Sequence, residues 1–234
     1  MDKRHNLLDT IANAFVPINP DGYKFVAIGA SAMLFLFLFA PARGGLCALG
    51  TVFCAYFFRD PERVTPDRPG LVVSAADGRI STVVEDAMAP RELALGTATL
   101  TRISVFLSVF DVHVVRAPVG GKIIHSAYVH GAFFNAELDK ASEENERQAF
   151  VIETKSGTKI GVVLIAGLVA RRIVPFVGDG DRLEAGQRMG LIRFGSRVDL
   201  YLPPDTEALA EVGQTAIAGE TVLAILVGEA KGSA

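Results

Sequence analysis

The 234-residue chain carries two distinct patterns of apolar and polar positions. Residues 23–58, YKFVAIGASAMLFLFLFAPARGGLCALGTVFCAYFF, are apolar on every side, with Lys24 and Arg43 as their only charges. A helix apolar all round has no face to give to water, so this stretch predicts helices facing lipid or a protein interior. The first arm is expected from Phe25 to Ala40 and the second from about Leu46 to Phe58, turning through Pro41-Ala42-Arg43-Gly44-Gly45. Each arm is shorter than the ~20 residues of an upright helix through ~30 Å of hydrocarbon. A tilted pair or a re-entrant hairpin is therefore expected, ahead of a buried helical pair in a soluble domain. Lys3, Arg4 and Lys24 precede it and Arg59 and Arg63 follow it, which favours both ends on the cytoplasmic side. The apolar segment starts too late, and lacks the cleavage site, for a secretory signal.

From Leu71 onward the pattern is that of strands. LVVSAADGRISTVVE (71–85) is two β-branched runs around a turn at Ala76-Asp77-Gly78. TRISVFLSVFDVHVVRAP (101–118) is rich in Val, Ile and Phe and alternates in part. AFVIETKSGTKIGVVLIAG (149–167) reads as a hairpin bending at Lys155-Ser156-Gly157. Residues 177–203 are turn-rich and then strand-like, and TVLAILVG (221–228) reads as a last strand. NAELDKASEENERQ (135–148) has the composition of a short surface helix or loop, its acidic run a solvated face. The expected organisation is an N-terminal cytoplasmic segment (1–22), a membrane-associated hairpin (23–58), a Pro/Arg/Asp-rich connector (59–70) and a catalytic domain (71–234). The fold class is mostly β, a compact domain of short strands preceded by an apolar helical hairpin. Residues 177–190 resemble the strands of biotinyl and lipoyl carrier domains, although no lysine stands at a hairpin tip.

Composition narrows the function. Half the residues are hydrophobic, 21% are charged and the net charge is −3, so no electrostatic footprint for nucleic acid exists. Cys47 and Cys54 lie in the apolar stretch and read as small apolar fillers, matching neither a disulfide framework nor a metal motif. Gly178-Asp179-Gly180 lacks the ending and the helix of a phosphate loop.

Three polar residues stand in apolar surroundings: Asp77, His113 and Ser196. Such a trio is able to form a nucleophile, its base and the base's orienting partner. Composition alone does not separate that from a histidine satisfied within the fold. His125, His130 and Glu137 are imaginable metal ligands, but their spacing fits no established motif, and no metal is expected.

The segments FFRDPER (57–63), AADGRI (75–80), SVFDVHVVRAPVGGKI (108–123), NAELDKASEENER (135–147), IAGLVARRIV (165–174) and RFGSRVDLYLP (193–203) occur in an order that resembles the phosphatidylserine decarboxylase family, in its short bacterial form. The resemblance runs from about residue 20 to the end. It implies a proenzyme that cuts itself at Gly195–Ser196 into a β chain (1–195) and an α chain (196–234) that stay together. Ser196 is then the nucleophile, His113 its base and Asp77 the carboxylate that orients the base. Serinolysis followed by β-elimination turns Ser196 into a covalent pyruvoyl cofactor. That group condenses with the amine of a membrane serine phospholipid as a Schiff base, releasing CO2 and phosphatidylethanolamine.

The sequence departs from the longer members in two places. Arg116 stands where they carry a second histidine, and the cleavage site reads Phe194-Gly195-Ser196-Arg197 rather than Leu-Gly-Ser-Thr. Arg116, Lys122, Arg171 and Arg172 are candidates for the lipid phosphate. Asn135, Glu144, Asn145 and Glu146 are candidates for ordering a substrate loop. Archaetidylserine is an alternative substrate with the same head group. A serine hydrolase using the same three residues and a non-enzymatic anchor protein remain alternatives, and a homodimer is compatible with the sequence.

Overall fold

The computed structural model describes residues 16–97, 99–134, 136, 144–168, 172–193 and 195–230. Lys3 and Arg4, named above as flanking charges, lie outside them. The chain divides into two compact units, residues 1–62 and 63–234.

The first unit is a helical hairpin of α1 (Pro20–Phe39) and α2 (Pro41–Phe57). Both helices begin earlier than the sequence pattern predicts. Asn19 caps α1 by accepting the Asp21 N–H at 3.1 Å, and Pro20 takes the first helical position, where its missing N–H costs nothing. Its 20 residues span about 30 Å, so α1 is long enough to cross a membrane, against the expectation of a short arm. The turn is Ala40 alone: Pro41 starts α2, and Gly44 and Gly45 are helical rather than part of a bend. Gly44 is there for packing, since a Cβ would lie 2.8 Å from the Phe37 ring. Gly29 against Thr51 and Gly22 beneath Phe58 permit the same close approach. The base of the hairpin is tied by Asn19 N–H to the Phe58 carbonyl (2.8 Å), Asp60 N–H to the Pro17 carbonyl (2.7 Å) and Asn19 Nδ2 to Asp60 Oδ2 (3.1 Å). With small residues at the crossing, the large ones point outward: Ile28, Leu34, Leu38, Phe39, Leu46 and Val52 are exposed within this unit. A surface so apolar marks an interaction site.

The second unit is mostly β, as expected. Its strands are β1 (Leu71–Val73), β2 (Gly78–Met88), β3 (Thr99–Leu107), β4 (Val114–Arg116), β5 (Gly121–Val129), β6 (Arg147–Glu153) and β7 (Lys159–Ala166). There follow β8 (Ile173–Pro175), β9 (Arg182–Leu183), β10 (Arg188–Ile192), β11 (Ser196–Leu202), β12 (Thr206–Ala208), β13 (Thr215–Ala216), β14 (Val222–Leu226) and a last turn of helix, α3 (Val227–Ala230). An eight-stranded sheet of order β13-β2-β3-β11-β7-β6-β5-β9 is accompanied by two three-stranded sheets, β4-β10-β8 and β1-β14-β12. The hairpin between β6 and β7 bends where the sequence predicts, with Gly157 at φ +88°. Residues 74–77 do not make a hairpin: β1 pairs with β14 and β2 with β3, so this turn passes between sheets.

β11 is the strand on which the unit is organised. It is antiparallel to β3 on one side and β7 on the other, and all seven of its residues are buried. Ser196, Val198, Leu200 and Leu202 alternate onto one face, where Val198, Leu200 and Leu202 join the main core with Val105, Val162 and Leu164. Tyr201 on the other face joins a second cluster with Leu93, Val151 and Ile165. Arg197 and Asp199 share that second face and are 1% and 0% exposed, so each is the other's compensation: Nε meets Oδ1 at 2.8 Å and Nη2 meets Oδ2 at 2.9 Å. Burial, and then the Asp199 carboxylate, push the Tyr201 phenol up to about 12.

Residues 135 and 137–143, the core of the expected surface helix or loop, lie outside the described residues. In the part that is described Glu144 is exposed, but Asn145 is fully buried, Glu146 is 9% exposed, and Arg147 and Gln148 already belong to β6.

Asp199→Asn strands a buried guanidinium and is expected to lower stability by ~3–5 kcal/mol in urea titration, whereas Arg197→Met with Asp199→Leu restores most of the loss.

Candidate active site

The β4–β10 pairing decides what stands beside the Gly195–Ser196 bond. Val114 faces Leu191, and Ile192 N–H donates to the His113 carbonyl at 3.2 Å. The residue entering β4 is thereby held next to the chain leaving β10, with three residues left before β11 begins. A tight turn precedes His113. Ser108 N–H donates to Asp111 Oδ2 (2.8 Å) and Asp111 N–H to the Ser108 carbonyl (3.0 Å), which leaves the Asp111 carbonyl aimed at the imidazole.

His113 is fully buried and its two nitrogens have different partners. Nδ1 lies 2.9 Å from the Asp111 carbonyl, an acceptor only, so Nδ1 carries the proton. Nε2 accepts the Gly195 N–H at 3.2 Å. The two contacts together select the neutral imidazole with its lone pair on Nε2, facing the cleavage segment.

Gly195 sits at φ +69°, the left-handed region that favours glycine. Its carbonyl accepts the Gly167 N–H at 3.0 Å. A Cβ on Gly167 would lie 2.4 Å from that oxygen, so only glycine brings its amide this close. Ser196, next in the chain, is fully buried and paired with Leu107 and Ala166. Its Oγ has no hydrogen-bond partner among the described residues. A buried hydroxyl left without a partner is costly, which is why such groups concentrate where chemistry uses them.

Asp77 belongs to the same end of the sheet. Gly78 beside it is pressed against β3, where a Cβ would lie 2.1 Å from the Phe106 carbonyl, and Leu107 pairs with Ser196. The Asp77 carboxylate accepts from Arg63 Nη2 (2.7 Å) and from the Ala218 N–H (2.8 Å). The contact seen at His113 Nδ1 is the Asp111 carbonyl at 2.9 Å. Arg63, counted above as a flanking charge of the hairpin, is the ion-pair partner of Asp77.

The other candidates scatter. Arg116 is 5% exposed, and its Nη1 donates to the Gly186 carbonyl at 2.9 Å. Lys122 is exposed on β5, lining a groove of about 1430 Å³ with Arg68, Arg182 and Glu153 that contains none of His113, Gly195 or Ser196. Arg172 is exposed, and its carbonyl accepts the Arg193 N–H at 3.2 Å, two residues from Gly195. Arg171, Phe194, Asn135 and Glu137 lie outside the described residues. His125 Nε2 is 3.0 Å from the Glu92 carbonyl, and the His130 ring meets Tyr128 edge-on.

One contributor, Gly167, was not legible as functional, and another, Asn145, was named above only as a candidate for ordering a loop. Gly167 lies in a quoted segment, but a glycine after an apolar strand reads simply as a strand end. Asn145 is fully buried; its Oδ1 accepts the Phe134 N–H (2.9 Å), and its Nδ2 faces the carbonyls of Phe134 (2.8 Å) and Ala166 (2.7 Å). It therefore fastens the 131–136 loop to the strand end that presents Gly167.

An imidazole nitrogen at the Gly195 N–H, a hydrogen-bonded Gly195 carbonyl and, on the next residue, a serine hydroxyl without a partner among the described residues thus gather at Gly195-Ser196. The family model for phosphatidylserine decarboxylase matches residues 51–224, and the chain belongs to that family of carboxy-lyases. It is similar to the phosphatidylserine decarboxylase proenzyme of Ruegeria pomeroyi (strain ATCC 700808 / DSM 15171 / DSS-3), with 56% identity over 210 residues, 90% of this chain and 95% of that protein.

In the Ser196→Ala chain at neutral pH, ¹⁵N correlation spectra are expected to show His113 with a protonated Nδ1 and a bare Nε2. The reverse tautomer contradicts the geometry.

Proposed function

We propose that the chain is a self-cleaving proenzyme that decarboxylates phosphatidylserine to phosphatidylethanolamine, and that Gly195–Ser196 is the bond it breaks. The observation that carries this reading is the unpartnered, buried Ser196 Oγ beside a left-handed glycine whose carbonyl is already hydrogen-bonded.

In scission, Ser196 Oγ attacks the Gly195 carbonyl carbon, and His113 Nε2 takes the hydroxyl proton. Gly167 N–H receives the charge that develops on the carbonyl oxygen. The C–N bond breaks and an ester joins Gly195 to Ser196 Oγ. β-Elimination then frees the Gly195 carboxylate and leaves dehydroalanine at 196, which water converts to a pyruvoyl group with loss of ammonia. The Asp111 carbonyl keeps His113 in its basic tautomer, and Asp77, fixed by Arg63, contributes negative charge at this end of the sheet. In the precursor His113 Nε2 is occupied by the Gly195 amide, so that hydrogen bond must yield as the base engages Ser196.

The residues present fit a pyruvoyl group at 196: a buried chain position at the head of a central strand, with open space at the preceding glycine. When formed, that group supplies an electron sink for cleavage of the carbon–carboxylate bond in an amine substrate. His113 then holds a proton at Nε2 for delivery to the product carbon. Arg172, exposed beside this segment, is placed to take the lipid phosphate. The burial of His113 and Ser196 excludes water from the reacting atoms. It also disfavours an external-ester hydrolase, because Ser196 opens a strand instead of standing exposed on an elbow. Apolar α1 and α2 support attachment to the cell membrane, with the lysine and arginine flanks favouring the cytoplasmic face.

Phosphatidylserine in detergent is expected to release CO2 with the natural chain and not with Ser196→Ala. Borohydride added during turnover is expected to attach lipid to the 39-residue fragment. Gly167→Ala is expected to slow conversion of pulse-labelled precursor to fragments by about 100- to 1,000-fold, the effect of losing one oxyanion donor. Cleavage at the natural rate removes Gly167 from the mechanism.

A further inference from the structure

The surface around the Gly195–Ser196 bond is apolar in a way that the chemistry does not require. Phe110, at the tip of the turn before His113, is 63% exposed, and Leu168, directly after Gly167, is 67% exposed. Phe134, fastened by Asn145 to the Ala166 strand end, is 46% exposed. These three side chains come from three separate loops, and each lies within three residues of a group that touches or supports the cleavage segment. Exposed Arg172 is tied to the same segment, its carbonyl accepting the Arg193 N–H two residues before Gly195. Single exposed hydrophobic residues need no explanation, but three on separate loops that border one segment, with an exposed arginine bonded to that segment, do.

We propose that Phe110, Phe134 and Leu168 form a docking rim that inserts into the bilayer interface, with Arg172 at the level of the lipid phosphates. This is a membrane contact of the catalytic unit itself, additional to α1 and α2. It rests on the reading of the substrate as a membrane phospholipid, and that reading selects the occupant. The reacting atoms are fully buried in the protein, so the head group must leave the aqueous interface while its acyl chains remain in hydrocarbon. The rim at the entrance must therefore meet acyl chains, and apolar side chains there replace the water that a lifted lipid would expose. The cation complements the lipid phosphate, as aromatic and aliphatic groups backed by Arg do in interfacial segments.

The chain contains no tryptophan, so one introduced residue is a unique reporter. Phe110→Trp and Leu168→Trp are compared with Met88→Trp in the full-length protein. Met88 is 61% exposed and pairs with Thr99, at the end of β3 away from Leu107, roughly 26 Å along the strand. Vesicles of phosphatidylglycerol with brominated acyl chains serve as the quencher, because that lipid has no serine to turn over. Quenching at 110 and 168 but not at 88 is expected. Quenching at all three positions, or at 88 alone, overturns the proposal, as does its absence at both 110 and 168. Concentration-dependent blue shifts without vesicles also overturn it, and mark this face as an interface between copies of the chain. As a second readout, Phe110→Ser with Leu168→Ser is expected to lower turnover of vesicle-borne phosphatidylserine about tenfold, with turnover in detergent unchanged. Equal turnover on vesicles contradicts the rim. Absence of decarboxylation by the natural chain in detergent instead contradicts the reading of the activity and leaves the quenching result independent.

Discussion

Both backbone polar groups of Gly195 are held: its N–H by His113 Nε2 at 3.2 Å and its carbonyl by Gly167 N–H at 3.0 Å. That double hold depends on two backbone conformations. A left-handed residue 195 points its carbonyl at residue 167, and a bare Cα at 167 lets the two approach. One hydrogen bond fixes the tautomer of the base, and the other polarises the carbonyl that the adjacent hydroxyl must reach. Electrostatic assistance of this kind is effective because the donors are positioned before the reaction, in a place from which water is excluded.

The rest of the second unit serves to keep that peptide in place. β11 starts immediately after it and is pinned by β3 and β7, so Ser196 cannot slip without turning Val198 and Leu200 out of the core. The Arg197–Asp199 pair strengthens the same constraint from the opposite face, because a one-residue slip would turn both buried charges onto the apolar core face. For the proposed reaction this matters after scission too. The new terminus at 196 would remain strand-paired, with its neighbour Arg197 still clamped, and would not fray as a free end. The β4–β10 pairing brings His113 to this peptide from more than eighty positions away in sequence.

Much of this was legible in the sequence. The strand-like end of residues 177–203 is the strand Ser196–Leu202, and the apolar run at 23–58 is a helical pair. Asp77, His113 and Ser196 stood out because they interrupt apolar runs, and the ordered segments gave the family. The boundaries failed where side chains did two jobs. Pro41 and the glycines after it read as a turn, whereas Pro41 starts a helix and Gly44 makes room for Phe37. Asn145 and Glu146 read as a solvated acidic face, yet both are buried, since a lone sequence does not reveal which polar side chain will satisfy a loop's backbone. Gly167 was silent for a related reason: its contribution is an amide and an absent side chain. The charge of Arg63 was visible, but its pairing with Asp77 depends on a turn between two sheets.

The claim on which the account stands is that the bond between Gly195 and Ser196 breaks and that activity follows from the break. Intact mass of the freshly purified, active protein tests this most directly. The account predicts two polypeptides, residues 1–195 and a 39-residue fragment whose first residue is a pyruvoyl group in place of serine. A single uncut chain that decarboxylates phosphatidylserine at full rate would contradict it.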